Sequence, residues 1–60
     1  MDFEEVEWII DKVEAANYKN LTDWEINFID SIKEFVEHSN KGYVSDKQAD
    51  VLERIRSKCV

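Results

Sequence analysis

The sequence predicts an all-α fold: a compact three-helix domain occupying residues 1–60 as a single helical domain, with helices at roughly 2–17, 22–39 and 45–58. Three observations predict it. One six-residue grammar occurs three times, in MDFEEV (1–6), LTDWEI (21–26) and VSDKQA (44–49). Apolar residues recur at helical spacing behind each occurrence. Proline is absent and glycine occurs once, at Gly42, which suits helices and suits hairpin-rich β structure badly.

The shared grammar is that of a helix start. A Ser, Thr or Asp at the N-cap accepts the N3 backbone N–H, and a Glu or Gln at N3 reaches back to the N-cap N–H. Apolar residues just outside the cap and at N4 clamp together. Thr22 with Glu25, flanked by Leu21 and Ile26, fits in full. Ser45 with Gln48, flanked by Val44 and Ala49, fits nearly as well. Asp2 with Glu5 is the weakest of the three, because a chain terminus frays.

In the first helix Phe3, Val6, Ile9, Ile10 and Val13 form one apolar stripe that ends near Asn17. In the second, Trp24, Phe28, Ile29, Ile32, Phe35 and Val36 form a wider one, roughly 140° across at 100° per residue. It marks the second helix as the centre of the core, with Trp24 buried. That helix should fade across His38-Ser39-Asn40, with Asn40 or Gly42 in the left-handed C-cap conformation. Val51, Leu52, Ile55 and Cys59 give the third helix its buried face.

A chain of this length buries only about 60% of the surface its unfolded form exposes. With one cysteine (Cys59) and one histidine (His38), neither an intrachain disulfide nor the usual Cys/His zinc set is available, so packing has to hold the core. No cofactor and no metal are expected. No apolar run has the length of a membrane span, and the acidic N-terminus lacks a signal segment, so no membrane contact and a reducing, cytoplasmic setting are the expectations. The net charge of −6 is uneven: residues 1–37 carry eleven acids and three bases (−8), residues 38–60 three acids and five bases (+2). The acidic part should repel nucleic acid and acidic substrates.

Four groups of residues are not explained by a plain core. Trp8 lies roughly 150° from the centre of its stripe, either wrapping over a neighbouring helix or standing as an anchor for a partner. Glu4, Glu7, Asp11 and Glu14 share one face of the first helix, as a solubilising surface or a site for a basic partner. A convex helix face offers no cleft for paired catalytic carboxylates, and no catalytic residue is nominated. Lys47, Arg54 and Lys58 cluster on the third helix, as a solvated face partly paired through Asp50–Arg54 or as weak nucleic-acid contacts. His38 either caps the second helix as a cation or pairs with Glu34, and Cys59 is a small apolar contact.

From Leu21 onward the pieces W-E-x-x-F-I-x-S-I (Trp24, Glu25, Phe28, Ile29, Ser31, Ile32) and S-x-K-Q-x-x-x-L-x-R-I (Ser45, Lys47, Gln48, Leu52, Arg54, Ile55) resemble a small helical module of tailed phages and prophages. The chain is also similar in size and kind to the small helical proteins encoded beside the recombination helicase of T4-type phages. The resemblance covers about two-thirds of the chain and implies a setting in phage DNA recombination, repair or replication, in the host cytoplasm. It implies no catalytic residues, and a chain without a P-loop lysine motif does not hydrolyse ATP as a helicase does. The expectation is a non-enzymatic, helicase-associated accessory protein, monomeric or weakly oligomeric. Its partner would be a helicase or a single-strand-binding protein, with Trp8 and the acids of the first helix as contacts. Direct nucleic-acid binding through Lys47, Arg54 and Lys58 is the alternative.

Overall fold

The computed structural model describes residues 1–59, arranged as three helices: α1 (Phe3–Ala15), α2 (Asp23–His38) and α3 (Asp46–Lys58). Their starts follow the sequence grammar. At α1 only one half of the exchange forms: the Asp2 carboxylate accepts the Glu5 N–H at 2.9 Å. At α2, Thr22 Oγ1 accepts the Glu25 N–H at 3.2 Å while Glu25 Oε1 accepts the Thr22 N–H at 2.9 Å. At α3 the same exchange joins Ser45 and Gln48, at 3.3 and 3.0 Å. Each cap satisfies backbone donors that a helix cannot satisfy from within.

The ends differ from one another. Past α1, Asn17 and Tyr18 both take left-handed backbone (φ 55° and 57°). The Tyr18 N–H donates to Val13 O and the Asn17 N–H to Glu14 O, both at 3.0 Å, which is the Schellman pattern. Asn tolerates this conformation; Tyr18 is strained in it and is held by packing against the core. The sequence placed a left-handed cap at Asn40 or Gly42. Instead α2 ends at Ser39 in extended backbone, and Gly42 (φ 83°) turns the chain three residues later.

That turn ties down the N-terminus, which does not fray as the sequence suggested. Asp2 and Tyr43 form an antiparallel bridge, with Phe3 N–H donating to Gly42 O (3.0 Å) and Val44 N–H to Met1 O (2.9 Å). These two bonds place the starts of α1 and α3 at the same end of the molecule. The Phe3 and Phe35 rings meet edge to face at 5.9 Å there, so α2 runs back along α1 and the order is up–down–up.

The core is Val6, Ile9, Ile10 and Val13 of α1, Ile29 and Ile32 of α2, Leu52 and Ile55 of α3, and Val44 before α3. The apolar face of α1 is therefore shared by both neighbours, and α1, not α2, is the central helix. The sequence overrated α2 because its stripe is wider than the face its neighbours cover. The buried arc of α2 centres between Glu25, Ile29 and Ile32, and Trp24 lies roughly 110° from that centre at 100° per residue. Trp24 is accordingly 64% exposed, a correction to its expected burial.

Two substitutions test the left-handed positions in opposite directions. Gly42→Ala meets no neighbouring atom, so its effect is backbone strain alone. It should destabilise by about 1 kcal/mol and lower the thermal midpoint by about 4–8 °C. Asn17→Gly relieves strain at the end of α1 and should raise the midpoint, by a smaller amount. Thermal unfolding followed by circular dichroism reads both, and a rise for Gly42→Ala would refute the turn geometry.

Candidate functional site

Glu4, Glu7, Asp11 and Glu14 are exposed, as their helical phase dictates. Three of them, Glu7, Asp11 and Glu14, line a shallow groove against Lys33, Val36 and Glu37 of α2. The acidic face is thus not purely convex, contrary to the sequence expectation. Lys33 crosses the groove to Glu14 Oε2 at 2.9 Å, and the hydrogen bond to that carboxylate holds the ammonium above its ordinary pKa. Among the described residues no group of His, Cys, Asp and Glu is close enough to hold a metal.

Trp8 occupies the other flank of α1. It is 48% exposed: the ring leans toward α3 and still offers half its surface. Lys12 Nζ stands 5.2 Å from the ring centroid and the Arg56 guanidinium carbon 6.0 Å. Both are within reach of the negative ring face. Arg56, outside the cluster of Lys47, Arg54 and Lys58, is the residue that meets Trp8. It is in turn held by Glu53 Oε2 at 3.0 Å, one turn earlier on α3.

A second aromatic surface lies on α2. Trp24 stacks on Phe28 at 5.6 Å with the planes 7° apart, and the pair borders a hollow with Asn27, Ser31, Ile32 and Gln48. No charged side chain lines it. The sequence signal for this patch was the width of the α2 stripe, which exceeded what two neighbouring helices cover.

The basic cluster of α3 is reduced by the fold. Lys47 and Arg54 are exposed. Lys58 donates to Glu25 Oε1 at 2.7 Å, and its carbonyl accepts from Asn20 Nδ2 at 3.4 Å. Glu25 is the buried charged residue of the domain, 8% exposed, and one carboxylate oxygen serves both the α2 cap and this ion pair. Lys58 is therefore a clamp between α2 and α3 before it is a contact for anything else. Neither Asp50–Arg54 nor Glu34–His38 forms an ion pair among the described residues. Cys59 caps α3 half-buried against the core, as the sequence indicated. No described helix is long and apolar enough to cross a membrane. No protein-family model, no curated protein and no solved structure matches the chain.

The Glu25 carboxyl is held below its ordinary value of 4.5, first by the hydrogen bond from Lys58 and then by the Thr22 N–H, with burial opposing. A carboxyl with a depressed folded pKa stabilises above its unfolded value and loses that contribution as pH falls through the folded one. Glu25→Gln keeps an oxygen for the Thr22 N–H but loses the charge. The variant should be less stable than the parent at neutral pH, and the gap should close as pH falls below the ordinary value of 4.5. Urea midpoints at neutral pH and at about pH 3 measure this, and a gap that persists in acid would dismiss the ion pair as its cause.

Proposed function

We propose that the protein is a non-enzymatic accessory protein that acts by binding another protein, with Trp8 as the anchor. The observation that carries this reading is an indole half-exposed on the outer flank of the central helix, pinned by two cations. Trp is enriched among residues that dominate binding energy, and a ring already held in place loses little freedom on binding. By helical phase, Glu4 and Asp11 adjoin Trp8 on its α2 side, with Glu7 and Glu14 beyond them. They favour a partner with basic residues on that side. The resemblance of Trp24–Ile32 and Ser45–Ile55 to a phage module supplies the setting of DNA recombination and repair. It makes a helicase or a single-strand-binding protein the partner to test, in the cytoplasm of the host.

Direct nucleic-acid binding is the second reading. Lys47 and Arg54 on α3 favour it. The engagement of Lys58 with Glu25 and the net charge of −6 weigh against it.

Titration of the labelled chain against a purified recombination helicase and a purified single-strand-binding protein of such a phage separates these. Saturable binding that Trp8→Ala weakens by about 30-fold or more, the loss of about 2 kcal/mol that marks a hot spot, is expected. Single- and double-stranded DNA should bind weakly, if at all, at physiological salt. Tight DNA binding that falls steeply with salt and disappears in Lys47→Ala/Arg54→Ala would reverse the ranking.

A further inference from the structure

On the side of Trp8 away from Glu4 and Asp11, α1 and the end of α3 enclose a hollow of about 350 Å³. Its lining is Trp8, Lys12, Arg56 and Cys59. The volume is within the range of small-ligand sites, about 300–1,000 Å³. Among the described residues the lining holds two cations, an aromatic face and a half-buried thiol, and no carboxylate. In a chain of net charge −6 this is a local inversion of sign.

Neither cation is fully committed. Lys12 has no hydrogen-bond or ion-pair partner among the described residues. Among the described residues Arg56 has one acceptor, Glu53, and its Nε–H is covered without an acceptor. A buried donor without a partner is unfavourable, so the guanidinium gives up little by turning toward an incoming acceptor. The opposing carboxylates, Glu5 and Glu53, line a separate smaller hollow across the Trp8–Arg56 contact.

We propose that this hollow seats an acidic segment of the partner protein: one carboxylate between Lys12 and Arg56, with an adjoining apolar side chain against the Trp8 ring and Cys59. The assignment rests on Trp8 being the partner anchor and names the chemistry it recognises. Charge complementarity selects an anion, and the aromatic wall selects an apolar group beside it. A peptide fits better than a nucleic-acid strand. A strand carries a regular run of phosphates, and the exposed Glu4 and Asp11 next to Trp8 repel a run while leaving room for a single carboxylate. An Arg is suited to this task because its planar fork binds a carboxylate through two parallel bonds.

The test uses the full chain carrying Trp24→Phe, so that indole emission reports Trp8 alone. The probe is the acetylated peptide Gly-Ser-Gly-Asp-Asp-Phe with a free terminal carboxylate, against the same peptide with Asn for Asp and an amidated end. The acidic peptide should change Trp8 emission saturably and bind about tenfold or more tighter than the neutral one. That difference should shrink in Lys12→Gln and in Arg56→Gln, survive in part in Arg56→Lys, and weaken with salt. Lys12 is on the surface of α1, so Lys12→Gln remains informative if the Arg56 variants misfold; circular dichroism checks each. Equal binding of the two peptides, no saturation up to millimolar peptide, or stronger displacement by oligothymidine than by unlabelled acidic peptide overturns the assignment. A helicase or single-strand-binding protein captured through Trp8 while the two peptides bind alike would sink the carboxylate site alone. Carboxylate-dependent binding with neither protein captured would leave the site and sink the accessory reading.

Discussion

Burial of one face of α1 is the constraint from which the other contacts follow. Val6, Ile9 and Val13 are fully buried and Ile10 nearly so, which requires cover on two sides. α2 and α3 supply it, and the bonds of Met1 and Phe3 to Val44 and Gly42 fix where α3 begins relative to α1. With two helices spent on covering the third, nothing remains to cover the outer flank of α1 or the far edge of α2. Trp8 and Trp24 stay exposed because a three-helix domain of this length has too little surface to hide them. The Cα radius of gyration, 10.5 Å, is already that of a chain packed at ordinary density, about 10 Å, so tighter folding does not offer a remedy.

The second constraint is the Glu25 carboxylate. A capping residue is usually a local device. Here the same oxygen that accepts the Thr22 N–H also accepts from Lys58, so the start of α2 is locked to the end of α3. Burying one partner of an ion pair costs desolvation, which a close contact and further hydrogen bonds offset, and the cap supplies one such bond to the same oxygen. The consequence is a redistribution of charge. Lys58 leaves the basic face of α3, and Arg56 turns to Trp8 and Glu53. The electrostatics of the surface are thus set as much by what the core needs as by the sum of charges in the sequence.

Local signals were legible and distant ones were not. The three helix starts could be read because each cap is closed within three residues of sequence, and Val6, Ile9, Ile10 and Val13 could be read because their spacing repeats. Trp8 stood out because it broke that spacing. Trp24 was misplaced because hydrophobicity gives the width of a stripe, whereas burial depends on which neighbours are present. The second role of Glu25 was hidden because its partner lies 33 positions away. The groove beside Glu7, Asp11 and Glu14 was hidden for the same reason: a single helix face has no cleft until another helix, carrying Lys33 and Glu37, is laid beside it. Lys12 gave no signal at all, since one lysine on an exposed face is ordinary until a tryptophan and an arginine are brought against it.

The two flanks of α1 then differ in charge, acidic toward α2 and mixed toward α3. Toward α2 the helix presents Glu7, Asp11 and Glu14 beside Glu37, relieved only by Lys33. Toward α3 it presents Lys12 and Glu5, with Arg56 and its partner Glu53 across the ring. Trp8 sits on the boundary. Attraction between exposed charges is screened within about 8 Å at physiological salt, so neither flank binds tightly by charge alone. What an uneven charge on the two sides of an exposed indole does supply is orientation. An acidic segment laid across Trp8 would meet attraction on the side of Lys12 and Arg56 and repulsion on the side of Asp11 and Glu7, which would set its direction across the helix surface. Hydrophobic contact with the ring contributes affinity without direction, and the boundary position of Trp8 adds the direction that contact lacks.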